Sequence, residues 1–260
     1  MITSLHNTKI KWVRSLLSSK KERKNSGFFV IEGVRLAEEV LQVSIIPQLV
    51  LFSDELSERG VQIINGFQLT NTIIEEVSPE LLKKISDTET SQGILVVLPF
   101  VNLPIPKHFN FAFALDNIRD PGNLGTILRS AAAFDIQAVF VPPGTTDIFA
   151  PKVVRSAMGA HFHLPIITIP VQRINQICEQ QNPPLKIYLA DVQTGKPCWQ
   201  LDLTQPILII IGGEAHGASS KMRNIAAESI RIPMPGGTES LNAAIAASIL
   251  AYEVIRQRKS

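Results

Sequence analysis

The pattern of apolar and polar positions changes character near residue 99. Before that point, short apolar runs are mixed with helical patterns, which indicate a small unit of helices and strands. After it, continuous apolar strands alternate regularly with helices. Such alternation is typical of a mainly parallel sheet covered on both faces. We therefore predict an α/β protein in two parts.

The first part combines helical and strand patterns. Helices are predicted at 7–20, at 34–43 and from Ser78 onwards, and strands at 28–31, 48–52, 61–64 and 93–98. The helix at Ser78 has the clearest start signal, because serine is a preferred N-cap and Pro79 suits the first helical position. The basic helix at 7–20 places its apolar residues on one face.

The second part shows the α/β alternation without interruption. Strands are predicted at 111–116, 138–141, 164–168, 186–190, 207–211 and 229–232, and helices at 122–134, 151–158, 171–180, 218–227 and 241–256. Three prolines lie between 99 and 108, a stretch without helical or alternating pattern. This composition favours a domain boundary. We expect one domain at 1–98, a linker at 99–108 and a second domain at 109–260.

Composition narrows the class of protein. The 260 residues carry a formal net charge of +2, with 45% hydrophobic residues, so bulk charge alone does not indicate nucleic acid. Basic residues nevertheless crowd the first 25 positions. The two cysteines form no metal-ligand pattern, and we expect no metal site. No signal peptide or membrane-length apolar run is apparent, which favours a cytoplasmic protein without membrane association.

Three segments carry candidate chemistry, and the first lies at 116–130, where a strand turns into a helix. Sites cluster at such strand ends in open α/β sheets. Asn123 is either a helix N-cap or a functional group. Arg129 follows among apolar and small residues, and an arginine in apolar surroundings needs a partner. The sequence leaves two partners open for Arg129: a carboxylate in an ion pair, or a phosphate in a bidentate contact.

The second segment is the glycine-rich loop at 212–217, which directly follows an apolar strand. It matches neither the dinucleotide fingerprint nor the P-loop. Glu214 occupies the place of a phosphate, and like charges would repel. The loop therefore suits a neutral or cationic ligand against bare backbone. His216 is either an exposed loop residue or a general base.

The third segment, 232–242, places a Pro-Gly-Gly turn before a helix rich in small residues. Ser240 is either a cap of that helix or a functional side chain. Asn242 is expected one turn inside the helix, where a capping role would not explain it.

Together these segments resemble the SpoU/TrmH branch of the SPOUT RNA methyltransferases. The matching motifs are Asp-Pro-Gly-Asn-x-Gly-x-x-x-Arg at 120–129, Gly-Gly-Glu-x-x-Gly at 212–217 and Ile-Pro-Met, then Ser-Leu-Asn, within 232–242. The segment 150–160 is also similar to the family's intervening segment. More weakly, 28–33 resembles the start of the substrate-binding domain that many members carry.

The resemblance implies a parallel sheet whose C-terminal part forms a deep trefoil knot, which is exceptional among proteins. It implies an S-adenosylmethionine site lined by Ala190, Gly212, Gly213, Ile232, Met234 and Leu241. The implied reaction is methyl transfer to a ribose 2′-hydroxyl. Arg129 is the implied catalytic group, as a base or a phosphate clamp, and the residues expected to position it are Asn123, Glu214, Ser240 and Asn242.

The family also implies partners. Members act as dimers through their knotted domains, and the smaller N-terminal α/β domain would bind RNA. Large-subunit rRNA is the expected substrate, with tRNA second. Two other classes stay in view: a non-catalytic RNA-binding protein of the same fold, and a nucleotide-binding oxidoreductase, against which the missing phosphate fingerprint argues.

Overall fold

Helices and strands alternate along most of the chain. The computed structural model describes residues 1–88, 90–214 and 217–259. The helices are α1 (Thr8–Ser18), α2 (Lys20–Ser26), α3 (Val34–Gln42), α4 (Glu58–Gln68), α5 (Pro79–Ile85), α6 (Pro121–Ala133), α7 (Pro151–Ala157), α8 (Val171–Glu179), α9 (Ser220–Ile225) and α10 (Ala243–Lys259). The strands are β1 (Phe28–Glu32), β2 (Leu49–Phe52), β3 (Ile73–Glu76), β4 (Ile94–Pro99), β5 (Phe111–Asp116), β6 (Ala138–Val141), β7 (Ile166–Thr168), β8 (Lys186–Ala190), β9 (Lys196–Pro197), β10 (Ile207–Gly212) and β11 (Glu228–Arg231).

The chain divides into two units. The first contains residues 1–101 and 147–162, and the second contains 102–146 and 163–260. The segment 147–162, expected in the second domain, groups with the first unit. Its Phe149 stacks on Phe100 with ring centroids 4.1 Å apart and lies 4.8 Å from Phe29. Burial of these rings explains why the segment joins the first unit.

The first unit is built on a four-stranded sheet in the order β1-β4-β2-β3. Strand β4 is antiparallel to both β1 and β2, whereas β2 and β3 are parallel. Helices α1 and α5 share one core with this sheet. Their buried residues in that core are Ile10, Val13, Leu16, Leu81, Leu82 and Ile85.

The predicted strand at 61–64 is wrong, because these residues lie in the middle of α4. The buried positions of that helix are Gly60, Ile63, Ile64 and Phe67, a spacing that puts them on one helical face. Ser57 caps the helix by accepting a hydrogen bond from the Gly60 amide at 3.3 Å. Short runs of β-branched residues resemble a strand when read locally.

Two further local features differ from the expectations, and one agrees with them. The basic helix ends at Ser18, and Ser19, in extended conformation, caps a second helix by accepting from the Glu22 amide. Strand β3 is missing from the sequence predictions because its residues are only partly buried. The predicted start of α5, with Ser78 as N-cap and Pro79 first in the helix, is confirmed.

The second unit contains a seven-stranded sheet in the order β7-β6-β5-β10-β8-β11-β9. All six neighbouring pairs are parallel, which confirms the predicted parallel sheet. Strand β9, only two residues long, was not predicted. Alternate strand residues point to opposite faces. Ala112 and Ile210 share a core cluster with Ile174 of α8, while Arg258 of α10 lies over the ring of Phe111.

Two buried titratable side chains are held neutral. Burial lowers the pKa of His161 to about 4, although its ring contacts the Ile148 carbonyl oxygen at 2.7 Å. Burial raises the pKa of Cys178 to about 12, so this thiol stays protonated near neutral pH. Among the described residues no group of three or more His, Cys, Asp or Glu side chains is arranged to hold a metal ion. In the same part of the chain no helix is long and apolar enough to cross a membrane.

Candidate functional site

The strand order of the second unit creates a switch point between β5 and β10. The chain proceeds from β5 to β6 and β7 on one side, while β10, β8, β11 and β9 lie on the other side. Ligands in open α/β sheets bind at the carboxyl ends of strands beside such a point. Asp116 and Gly212 end the two central strands and are paired in register there.

Asp116 ties the glycine-rich loop to the end of β5. Its carboxylate is buried and accepts hydrogen bonds from the Ser219 amide at 2.5 Å and from Asn117 Nδ2 at 3.4 Å. A buried carboxylate with amide donors is satisfied without a metal ion. Asp116 therefore fixes the far end of the loop that carries Glu214.

Helix α6 begins two residues before Asn123, the expected cap. Asp120 is the N-cap and accepts a hydrogen bond from the Asn123 amide at 2.7 Å. Pro121 then takes the first helical position. The capping alternative for Asn123 is therefore wrong, because Asp120 already satisfies the amide and leaves the Asn123 side chain available for other contacts.

A hydrogen-bonded network joins the three candidate segments. Asn123 Nδ2 donates to Glu214 Oε1, and Asn242 Nδ2 donates to Asn123 Oδ1 at 2.9 Å. Each contact uses a different end of the Asn123 amide, so the pair of contacts determines how that amide is oriented. Glu214 and Asn242, which lie 91 and 119 positions from Asn123 in sequence, thus meet it near the start of α6.

Asn242 has a second role as the cap of α10. Its Oδ1 accepts from the Ala244 amide at 2.9 Å and from the Ile245 amide at 3.3 Å. The expectation that it lies inside the helix is wrong, since α10 begins at Ala243. Ser240, the other candidate cap, is exposed and lies before the capping residue.

Arg129 lies on α6 but points away from the core. Its neighbours Leu128 and Ala131 are buried, whereas the Arg129 side chain is exposed. The expected apolar setting is therefore wrong, because a helix turns about 100° per residue and separates sequence neighbours onto different faces. Within the described part of the chain its guanidinium makes no hydrogen bond or ion pair. It is available to a ligand.

Helices α6 and α10 run parallel, side by side. Asn123 contacts Asn242, Ser130 Oγ lies 2.8 Å from Ser248 Oγ, and the Phe134 and Tyr252 rings are 6.4 Å apart. The sequence offset between partners stays almost constant at 119, 118 and 118, as parallel helices require. Both helix N-termini therefore lie at the switch-point edge.

The glycines of the 212–217 loop are required by close backbone packing. A Cβ on Gly212 would lie 2.3 Å from the Ala218 nitrogen, and one on Gly213 would lie 2.1 Å from the Asn117 carbonyl oxygen. Both distances are far below contact, so side chains are excluded by the protein itself. The bare backbone that sequence analysis assigned to a ligand is thus also a packing requirement. His216 lies outside the described residues.

The expected cofactor residues lie at or shortly after the ends of β8, β10 and β11, except Leu241, which directly precedes the cap of α10. Ala190 ends β8 and is paired with Ile230 of β11, two residues before Ile232. Ala190, Ile232, Met234 and Leu241 are all partly exposed. Partly exposed apolar side chains beside backbone groups suit a planar base and a sulfonium. The residues present therefore fit S-adenosylmethionine.

A separate cavity of about 450 Å³ opens on the α8 and α9 side of the same edge. Its walls include Asp116, Asn117, Pro143, Val171 and Ser220. These residues follow β5, β6, β7 and the glycine-rich loop, and they are different from the expected cofactor residues. The first candidate segment contained Asp116 and Asn117, but the cavity was not predicted because its other walls, such as Pro143, Val171 and Ser220, come from distant parts of the sequence.

Comparison with known proteins places these features in one family. Residues 110–252 match the SpoU rRNA Methylase family, and residues 7–96 match the MRM3-like substrate binding domain. The chain is 32% identical to "23S rRNA (guanosine(2553)-2'-O)-methyltransferase RlmP" of Bacillus subtilis over 97% of this chain and 98% of the relative. It is 30% identical to "23S rRNA (uridine(2479)-2'-O)-methyltransferase" of Streptomyces viridochromogenes over 100% of this chain and 93% of the relative.

A solved structure supports the same assignment at the level of the fold. The SpoU methyltransferase AviRb from Streptomyces viridochromogenes, in complex with AdoMet, is 29% identical and has a TM-score of 0.89. The match covers 98% of this chain and 99% of that chain. Motifs, sheet order and whole-chain similarity agree, and the protein belongs to the SpoU rRNA methylase family.

Proposed function

We propose that this protein transfers a methyl group from S-adenosylmethionine to a ribose 2′-hydroxyl in large-subunit rRNA. The network of Asn123, Glu214 and Asn242 carries the proposal, because it unites three distant motifs at the switch point of the sheet. The rRNA specificity in the names of the relatives supports the choice of substrate over tRNA.

The cofactor is held at the ends of β8, β10 and β11. S-adenosylmethionine supplies an electrophilic methyl group on its sulfonium. The residues that line its site are Ala190, Gly212, Gly213, Ile232, Met234 and Leu241. The carboxylate of Glu214 favours a cation in this neighbourhood. We further propose that the segment which bears these residues forms the trefoil knot that the family motifs imply.

Arg129 contacts the phosphate next to the target ribose. An arginine guanidinium is protonated throughout the ordinary pH range, so it is poorly suited to act as a general base. A bidentate contact to phosphate uses the exposed, charged guanidinium directly. Asn123, Glu214, Ser240 and Asn242 orient the ribose and the loops, so that the hydroxyl oxygen meets the methyl group in line.

The second unit forms a homodimer through α10. Three apolar side chains lie exposed along this helix at positions three and four residues apart: Ile245 at 52%, Ile249 at 37% and Tyr252 at 59%. Residues at that spacing share one helical face. Such a stripe is unfavourable in water and suits burial against a second copy.

An Arg129→Ala variant tests the assignment. We expect the rate of methyl transfer to rRNA to fall roughly 100-fold, as when a charge-stabilising donor is removed. An Arg129→Lys variant should recover only part of the rate, because lysine cannot make the bidentate contact. The melting temperature and the cofactor Kd should stay unchanged, since the side chain is exposed.

Thr126→Ala is the matched control, because Thr126 is exposed on the same helix one turn away. It should methylate at the wild-type rate. An Arg129→Ala enzyme that also does so would contradict the role given to Arg129.

A further inference from the structure

A groove of about 310 Å³ lies between α1 and α5 in the first unit. It is lined by Lys11, Arg14, Ser15, Leu17, Ser18, Lys84 and Ile85. Buried leucine and isoleucine side chains pack the two helices together beneath it, among them Leu16 and Leu82. The walls of the groove are therefore fixed by a shared hydrophobic core.

The basic residues in and near the groove differ in whether they have a partner within the first unit. Lys9 pairs with Glu75, and Arg23 is buried against Asp147 at 2.7 Å and donates to the Leu16 carbonyl oxygen. These two charges are used inside the unit. By contrast, the cations of the groove, Lys11, Arg14 and Lys84, are exposed and have no hydrogen bond or ion pair among the described residues.

Helix stability alone does not account for the groove. Lysines in the last turn of a helix interact favourably with its dipole, and both Lys83 and Lys84 lie there in α5. Only Lys84 lines the groove, together with two cations from a different helix. The convergence of Lys11, Arg14 and Lys84 is therefore a property of the packed unit and is absent from either helix alone.

We propose that this groove binds the phosphodiester backbone of the RNA substrate. The inference rests on the proposed function and assigns the phosphate contacts of the first unit to Lys11, Arg14 and Lys84. Because the whole chain carries a formal net charge of only +2, a local concentration of unpaired cations is needed to attract a polyanion. An open groove suits a continuous backbone better than a single enclosed anion.

A triple variant tests the proposal: Lys11→Gln, Arg14→Gln and Lys84→Gln. Its binding to deproteinised large-subunit rRNA is compared with wild type over a range of salt concentrations. Loss of three phosphate contacts should lower the slope of log K against log [salt] by about 2, from roughly 0.7 per contact in single strands. At low salt the KM for RNA should rise at least about tenfold, with kcat retained.

The matched control removes the same charges from the same unit: Lys24→Gln, Arg35→Gln and Lys83→Gln. All three residues are exposed and lie outside the groove. A fall in affinity and slope confined to the groove variant supports the proposal. Equal losses in both variants would indicate an effect of bulk charge, and no loss in the groove variant would exclude RNA from the groove. Either result overturns the proposal.

Two measurements separate this result from failure of the proposed function. Wild-type protein must first methylate the rRNA, and if it does not, the proposed function itself fails. The groove variant must keep the wild-type melting temperature and Kd for S-adenosylmethionine. A variant that passes these checks and binds RNA like wild type overturns the groove proposal and leaves the proposed function standing.

Discussion

At the scale of single residues, Asn123 and Asn242 depend on each other. The Asn242 side chain accepts from the Ala244 amide of α10 through Oδ1 and donates from Nδ2 to the side-chain Oδ1 of Asn123. Its amide nitrogen therefore binds Asn123, while its amide oxygen stabilises the start of α10. Substitutions can separate these two contributions.

An Asn242→Ser variant should keep the helix and lose the reaction. Serine caps a helix about as well as asparagine, so the free energy of unfolding should change by less than about 0.5 kcal/mol. It cannot reach Asn123 with an amide donor, and the rate of methyl transfer should fall roughly 100-fold through misplacement of the network. Asn242→Ala should lose about 1 kcal/mol of stability as well. Wild-type activity of the serine variant would contradict the positioning role.

Motif spacing predicted which polar residues would come together, but it did not predict their local structure. Motif spacing pointed to Asn123, Glu214 and Asn242, and the structure brings these three together. It did not show that Asp120 caps α6, since asparagine and aspartate are equally good caps. Arg129 lies off the buried face that contains Leu124, Leu128 and Ala131, although these residues flank it closely in sequence.

At the scale of elements, long periodic segments were predictable and short ones were not. The continuous apolar strands of the second unit predicted a parallel sheet, and the structure contains one. The strand predicted at 61–64 was wrong because four residues are too few to distinguish the period of a strand from that of a helix. Burial of Phe67 on the same face as Ile63 and Ile64 shows the helical period. Strand β9 is too short for any period.

The exposed stripe on α10 leads to a prediction about assembly. The double variant Ile249→Glu, Tyr252→Glu should halve the mass measured by light scattering after gel filtration, because it places two carboxylates in the proposed apolar interface. Leu69→Glu is the control, since Leu69 is 90% exposed in the first unit and should tolerate charge. A wild-type monomer, or a double variant that stays dimeric, would exclude this interface.

At the scale of the whole molecule, we propose that the first unit binds RNA and the second carries out methyl transfer. The first presents exposed cations in a groove, and the second assembles the polar network at a switch point. The segment 147–162 shows why domain limits were hard to predict. Its membership in the first unit depends on aromatic contacts between residues far apart in sequence, such as Phe29 with Phe149.

The central claim is methyl transfer to a ribose hydroxyl of large-subunit rRNA. The direct test incubates the protein with tritiated S-adenosylmethionine and total RNA from a strain that lacks the protein, then fractionates and alkali-digests the RNA. A methylated 2′-oxygen cannot attack the adjacent phosphate, so the label should appear in an alkali-resistant dinucleotide from large-subunit rRNA. Label in alkali-labile mononucleotides or only in tRNA, or no label despite cofactor binding, would contradict the account.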